Sequence, residues 1–191
     1  AITGLGFQPD LVWAKMRSST QNGILIDSSR GQGLIFSSAN NAQQTSNGPF
    51  MTSYDSDGFT LASSGSNPND NSQTYVAWCW RANGGTTASN SDGSITSTVQ
   101  ANQNAGFSIV QTTGNGGNAT IGHGLGAVPK LILSKQLNST YSWVTYHPNQ
   151  GASGSGGELG YMHLDSNGGF SDYNLIWNDT APTSSVFSVG S

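Results

Sequence analysis

The apolar residues of the chain fall in short blocks that are separated by Gly, Asn, Asp and Ser. Short runs rich in β-branched and aromatic side chains, with turn-forming residues at both ends, are typical of β-strands. No stretch of the sequence has the apolar period of an amphipathic helix. The pattern predicts strands at 11–15, 23–27, 33–37, 58–62, 74–80, 107–111, 131–135, 142–147, 160–164, 174–177 and 185–189.

The predicted strands are short and are joined by polar turns. Asp57-Gly58, Asp92-Gly93 and Asn167-Gly168 are turn dipeptides, because Gly adopts positive φ at little cost and Asn or Asp tolerates it. Short strands at close spacing predict an all-β fold, either a β-sandwich or a jelly roll. The run at 75–80 is apolar on both alternating faces, which predicts a central strand covered on both sides.

The chain contains an internal repeat. Segment 4–15 aligns without gaps on segment 124–135, with Gly, Leu, Gly, Pro, Leu and Lys identical at matching places. Phe59-Thr60-Leu61 resembles Phe187-Ser188-Val189 in the same order along the chain. We therefore expect tandem or pseudo-repeated modules: a first module at 1–82 lacking its early strand, a polar linker or hairpin at 83–105, and a second module at 106–191 lacking its last strand.

The two modules lack different strands. Nothing in the first matches 107–110, and nothing in the second matches 75–80. An open sheet edge exposes unpaired backbone groups and invites pairing with another chain. We expect the missing strands to come from the other copy, a neighbouring subunit or residues outside this stretch. The favoured arrangement places the early strand of the second copy beside the late strand of the first, in one sandwich or two abutting ones, with homo-oligomerisation covering the remaining edges.

Charged residues are scarce, and this excludes some partners. Asp, Glu, Lys and Arg make up 8% of the chain, against about 25% in a typical protein, and the formal net charge is −4. Six basic residues provide no electrostatic footprint for nucleic acid and no basic cluster for an anionic membrane. The single cysteine, Cys79, excludes an internal disulfide, and we expect a buried apolar thiol.

The residues that could support catalysis or bind metal do not form a convincing set. Glu158 is the only glutamate, whereas a glycosidase needs two facing carboxyl groups. The run at 55–58, Asp-Ser-Asp-Gly, fits a hairpin turn better than a calcium loop. The spacing of His123, His147 and His163 matches no zinc pattern. We predict a non-enzymatic protein without cofactor or metal; a polysaccharide depolymerase using Glu158 or Asp179 is the lower-ranked enzymatic alternative.

Aromatic residues flanked by Asn, Asp and Gly are the one positive signal for ligand binding. A flat apolar ring can stack on a sugar, while amides and carboxylates bind its hydroxyls. The candidate carbohydrate-binding residues are Trp177, Asn178, Asp179, Tyr173, and Tyr141 with Asn138. The competing interpretation is that these aromatic side chains pack at the ends of strands.

Several motifs together resemble a known family. Those of the first copy lie at 6–15, 27–31, 57–61 and 75–80, and those of the second at 106–110, 122–126 and 186–190. The set is similar to a repeated domain of uncharacterised function in structural proteins of tailed bacteriophages, often marine or cyanobacterial. The resemblance implies a virion surface protein, a tail fibre or capsid appendage with a lectin-like β-sandwich. Its implied partners are other virion subunits and, in an adhesion role, a host cell-surface glycan.

Overall fold

A computed structural model describes residues 1–45, 50–62, 69–151, 153–154 and 156–191. The fold is all-β, with 37% of the residues in strands and 2% in helix, which confirms the predicted class. The strands are β1 Ile2–Thr3, β2 Leu11–Met16, β3 Ile24–Asp27, β4 Ile35–Phe36, β5 Met51–Asp55, β6 Gly58–Leu61, β7 Tyr75–Trp80, β8 Ala88–Asn90, β9 Ser97–Asn102, β10 Phe107–Thr112, β11 Ala119–Gly122, β12 Ile132–Ser134, β13 Val144–Tyr146, β14 Gly160–His163, β15 Ser171–Asp172 and β16 Val186–Val189. A short 3-10 helix covers Gly157–Leu159.

The strands belong to two compact units. The first unit consists of Ala1–Gly85 with Gln136–Tyr141, and the second consists of Thr86–Lys135 with Ser142–Ser191. Segment 136–141 therefore belongs to the first unit, although it follows β12 of the second. The backbone N–H of Gln43 donates to the carbonyl of Leu137, which ties that segment to the first unit.

The described residues of the first unit form two antiparallel sheets, with strand orders β1-β6-β5 and β4-β3-β2-β7. Alternation along β2 buries Val12, Ala14 and Met16 and leaves the intervening side chains half-buried. Each fully buried Val, Ile or Phe side chain contributes about 1.5–3 kcal/mol through removal of apolar surface from water. The core is formed by Val12, Ala14, Ile24, Ile26, Leu34, Phe50, Met51 and Phe59.

Strand β7 lies at the end of its sheet, and this corrects the expectation of a central strand. Among the described residues, β2 is its hydrogen-bonded neighbour, and no strand is paired on its other side. Ala77 and Trp78 are exposed, and Trp78 keeps 48% of its surface in contact with solvent. Cys79 is half-buried rather than fully buried, and burial raises the pKa of its thiol. The apolar sequence of β7 therefore does not reflect burial on both faces within this chain.

The second unit contains three antiparallel sheets, with strand orders β10-β9-β8, β11-β16 and β12-β13-β14-β15. Segment 83–105 includes β8 and the whole of the polar strand β9, which pair with each other. The early strand β10 pairs with β9 over six residues. Apolar burial is concentrated in Val99, Ala119, Ile121, Trp143, Tyr146 and Trp177.

One predicted strand is wrong. Residues 174–177 form turns rather than a strand, and the chain continues into Asn178 and Asp179 with φ of 51° and 46°. A left-handed backbone is incompatible with strand pairing, and Asn and Asp are the side chains that tolerate it best. Within this turn Trp177 is buried, Ile176 is half-buried and Leu175 is exposed.

Candidate functional site

Trp177 is part of the core of the second unit rather than of a sugar-binding surface. Its side chain is 2% exposed. Its ring packs edge-on against Tyr146 and Phe187, with centroid separations of 6.0 and 6.5 Å. A ring without an exposed face cannot stack on a sugar, so the packing interpretation holds for this residue. Its indole N–H has no hydrogen-bond partner among the described residues.

Asn178 and Asp179 follow Trp177 in the left-handed turn and are both exposed. The side chain of Asn178 accepts a hydrogen bond from the amide of Asn118 at 2.7 Å. Asn118 in turn accepts the backbone N–H of Ser191 at 3.1 Å. Asn178 thus joins a side-chain network that connects this turn to the end of β16, while the Asp179 carboxylate stays at the surface.

Tyr173 is the exposed member of an aromatic cluster, which we call the Tyr173 cluster and define as Tyr173 with the half-buried Tyr161 and His163. The Tyr161 ring lies 4.9 Å from the His163 ring and 6.4 Å from the Tyr173 ring, measured between centroids. Tyr173 is 47% exposed, and its neighbours Asp172 and Asn174 are also exposed. One accessible ring beside a carboxylate and an amide is the combination that the sequence suggested, although Trp177 does not share it.

Tyr141 and Asn138 belong to the first unit. Tyr141 is 68% exposed, and the side chain of Asn138 accepts a hydrogen bond from Gln136 at 3.1 Å. The candidate residues are therefore distributed over both units: Tyr141 and Asn138 in one, and Tyr173, Asn178 and Asp179 in the other.

A second aromatic surface lies on β2 and β7, and sequence reasoning missed it. Trp13 stands directly opposite Trp78 in the strand register, with ring centroids 5.8 Å apart. Trp80 shares their face because side chains two positions apart in a strand point the same way. The indole N–H of Trp13 donates to Ser37 at 2.9 Å. The sequence did contain a signal for this surface, namely the alternating aromatic residues within 75–80. We interpreted that alternation as burial of the strand on both faces.

The most enclosed carboxylate, Asp10, has a structural role. It has no solvent exposure, and its two oxygens accept the Ser28 hydroxyl and the backbone N–H groups of Ala82, Gly84 and Gly85 at 2.7–3.0 Å. Gly84 and Gly85 have positive φ, which turns their N–H groups toward the carboxylate. Asp10 thereby fixes the chain directly after β7.

A buried ion pair lies next to β3. The Arg30 guanidinium contacts the Asp27 carboxylate, and the two side chains are 6% and 5% exposed. Arg30 also donates to the carbonyl of Gly33 and to the side chain of Gln43. Burial raises the pKa of the nearby Tyr54 well above its usual value, and the Asp27 charge acts in the same direction. Both carboxylate oxygens of Asp27 and the Nε and Nη1 atoms of Arg30 therefore have protein partners.

The Asp-x-Asp-Gly run binds protein groups instead of presenting free oxygens. Asp57 accepts the backbone N–H groups of Gly4 and Gly6 at 3.0 and 2.6 Å. Asp55 accepts the hydroxyls of Thr60 and Ser53, which lower the pKa of its carboxyl. Asp55 thus holds the β5–β6 hairpin, and Asp57 holds the turn before β2. These contacts agree with the interpretation of the run as a hairpin turn.

The three histidines lie in separate surroundings. His123 is 2% exposed; its Nδ1 accepts the backbone N–H of Leu125, and its Nε2 contacts the carbonyl of Thr183 at 3.2 Å. His163 belongs to the Tyr173 cluster, and His147 is exposed at the end of β13. In the described ranges, no group of three or more His, Cys, Asp or Glu side chains is placed to hold a metal ion.

Glu158 lies in the 3-10 helix and is half-buried. The described part of the chain also contains no helix that is both long and apolar enough to span a bilayer.

Together, the strands and exposed aromatic clusters define an all-β protein of several small antiparallel sheets, with aromatic side chains at its surface. The whole chain, residues 1–191, matches a family described as Domain of unknown function (DUF7483), and the chain belongs to that family. No curated protein and no solved structure matches it significantly.

Proposed function

We propose that this chain is a non-catalytic structural module on the surface of a bacteriophage particle, in a fibre, decoration or adhesion role. The observation that carries the proposal is the set of family-specific motifs, above all those at 6–15, 75–80 and 106–110. The surface chemistry agrees with this role, because solubility comes from neutral polar groups and no basic patch competes for nucleic acid.

We also propose that the two units are copies of one β-sandwich module. Gly4 and Gly6 have φ of 95° and 73°, and their counterparts Gly124 and Gly126 have φ of 71° and 68°. Each of these turns leads into an antiparallel ladder, β2-β3-β4 in the first unit and β12-β13-β14 in the second.

Side-chain contacts support the same correspondence. Arg30 donates to the carbonyl of Gly33, and Gln150, which lies 120 positions after Arg30, donates to that of Gly157. A closing hydrogen bond also recurs: Ala62 N–H to Phe50, and Gly190 N–H to Ile176. Shared turns and ladders favour duplication over coincidence, and the two hydrogen bonds recur in kind although their acceptors do not keep the 120-residue offset.

Purified particles provide the test of the virion proposal. Particles banded on a density gradient and analysed by quantitative mass spectrometry should contain this chain at a fixed ratio to the major capsid protein. The ratio should be unchanged by a high-salt wash, because a surface with few charges is not held by screened ion pairs. Detection only in the infected-cell cytosol, and never in banded particles, would contradict the proposal.

A second candidate function, carbohydrate binding, is favoured by the Tyr173 cluster. Tyr173 offers an accessible ring face, and Asp172 and Asn174 offer polar groups beside it. This function is compatible with the first, since an adhesion module would bind a glycan of the host surface.

A glycan array with matched variants tests this second candidate. Tyr173→Ala should reduce glycan retention about fivefold, since aromatic stacking is typically worth about 1 kcal/mol. Leu175→Ala is the matched control, because Leu175 is also exposed and lies two residues away but has no ring. Trp177→Ala is unsuitable, because it removes a core side chain. Equal retention by both variants, or no retained glycan, would contradict carbohydrate binding and leave only the architectural role.

A further inference from the structure

Strand β7 combines three properties that sheet edges normally avoid. It is six residues long, it contains no charged residue or proline, and Ala77 and Trp78 in its middle are exposed. Natural edge strands are usually short, bulged, charged or covered, because an open flat edge pairs with other chains. Within the same unit, β1 and β4 are two residues long, and β5 has an irregular register between Met51 and Ser53.

The register of β7 shows which backbone groups face its open side. Arg17 N–H donates to the carbonyl of Thr74 at 2.7 Å, so these two residues form a hydrogen-bonded pair. Hydrogen-bonded and non-bonded pairs alternate along an antiparallel ladder. Val76 and Trp78 therefore point their N–H and C=O groups toward β2.

The remaining residues of β7, namely Tyr75, Ala77 and Cys79, point theirs away from β2. These three form a row of donors and acceptors spaced two residues apart, with Ala77 at the centre. Ala77 has a small side chain and is exposed, so a second backbone can approach it closely.

We propose that two copies of this chain join edge to edge through β7, antiparallel and about a two-fold axis at Ala77. Ala77 of each copy exchanges both backbone hydrogen bonds with Ala77 of the other, and Tyr75 pairs with Cys79. On the face that carries the tryptophans, Trp78 comes to lie opposite Val76 of the second copy.

A second copy fits this edge because the edge is complementary to itself. A two-fold axis at Ala77 aligns every outward donor with an outward acceptor without any register shift. The strand carries no charge, so pairing brings no like charges into the ladder. It also covers Trp78, the exposed apolar side chain next to the centre. The proposal does not depend on where the protein acts, so it can fail or hold independently of the virion proposal.

Substitutions at Ala77 test the interface. We expect the wild-type chain to sediment at twice its mass of 19.8 kDa at micromolar concentration. Ala77→Pro removes both central donors but leaves the hydrogen bonds to β2, since proline is tolerated where the N–H faces outward. It should raise the dissociation constant tenfold or more, to about the extent expected for two lost hydrogen bonds.

A charge at the same position provides a second variant that keeps the backbone donor. Ala77→Lys places two ammonium groups at the axis and should also yield a monomer. Ser89→Lys, at an exposed position of the edge strand β8, is the matched control and should leave the dimer intact. Cooperative thermal melts of the monomeric variants, lowered only by the lost contribution of dimerisation, would show that the fold survives.

Cross-linking tests the register. Hydrogen-bonded partners lie about 5.5 Å apart at Cα, within reach of a disulfide. Ala77→Cys in a Cys79→Ser background should therefore form a disulfide-linked dimer on mild oxidation. Wild-type Cys79 should not, because the register separates the two copies of Cys79 by about 13 Å along the strands.

Three results would overturn the proposal. These are a wild-type monomer over the whole concentration range, a dimer unaffected by both Ala77→Pro and Ala77→Lys, and a dimer in which Ala77→Cys fails to cross-link. A monomer whose β7 edge instead captures an extended peptide of another protein would assign the edge to that partner.

Discussion

Asp10 shows how a single side chain can hold several segments of the first unit. It accepts four hydrogen bonds, from Ser28, Ala82, Gly84 and Gly85, while fully buried. Asp10→Ala would leave three backbone N–H groups without an acceptor. We expect a loss of about 3 kcal/mol or more in the free energy of unfolding, measured by urea denaturation.

The control for this prediction is Asp70→Ala. Asp70 has an exposed side chain, and substitution at such a site usually changes stability by less than about 0.5 kcal/mol. Equal midpoints for the two variants would contradict the structural role of Asp10.

His123 makes stability depend on pH. Burial lowers the pKa of His123, opposed in part by the carbonyl of Thr183. Its Nδ1 must stay unprotonated to accept the Leu125 N–H. The folded state therefore binds the proton less readily than the unfolded state, whose histidine titrates near pH 6.5. The stabilisation is complete above that pH and is lost as the pH falls below it.

Variants that keep the same acceptor geometry check this pH dependence. His123→Asn retains an oxygen for the Leu125 N–H but does not titrate, so the unfolding free energy should fall less between pH 7 and pH 5. His147→Asn is the matched control: His147 also accepts an N–H two residues on, but it is exposed, and its removal should leave the slope intact. If the pH dependence of the unfolding free energy changed in His147→Asn but not in His123→Asn, its assignment to His123 would be refuted.

At the scale of elements, the glycine turns before β2 and β12 allow two destabilising effects to be compared. One is the strain of a left-handed backbone, and the other is the crowding caused by an added Cβ. Gly4 and Gly124 both have positive φ, but a Cβ at Gly4 would meet nothing within 4 Å, whereas a Cβ at Gly124 would lie 2.9 Å from a methyl of Val99. Gly4→Ala should lower the free energy of unfolding by about 1 kcal/mol, because an alanine disfavours the left-handed backbone.

Gly124→Ala should lower the free energy of unfolding by measurably more than Gly4→Ala does, since the added Cβ also requires β9 to shift. Thermal or urea unfolding of the two variants measures the difference directly. A larger loss for Gly4→Ala would contradict the packing of the turn against β9.

Strands with strong apolar blocks could be predicted from the sequence, because their side chains carry the signal themselves. The predicted segments 11–15 and 107–111 match β2 and β10 closely. Strand β9, Ser-Thr-Val-Gln-Ala-Asn, has little such signal, and its Ser97 and Gln100 are buried through long-range contacts. The sheet position of β7 was missed, and the choice between sugar binding and packing for Trp177 stayed open, for the same reason: both depend on which segments meet in space, and local pattern does not encode that.

For the candidate site, the sequence identified exposed Tyr173 and Tyr141 but also included buried Trp177. Aromatic residues beside Asn and Asp occur both in binding loops and at core-forming turns. Local composition cannot distinguish the two, because the difference lies in whether Tyr146 and Phe187 pack against the ring.

At the scale of the whole molecule, the chain has two small all-β units and, at the edge of one sheet, a strand without charged residues. These features fit a building block that meets other subunits through exposed strands and faces the solvent with neutral polar loops. We therefore propose that the chain lies on the outside of the particle.

Immunogold electron microscopy of intact purified particles measures that location most directly. Antibodies raised against this chain should decorate one defined part of the particle surface, and excess free chain should abolish the labelling. Labelling that appears only after the particles are disrupted, or that never appears on particles containing all their major proteins, would contradict the account.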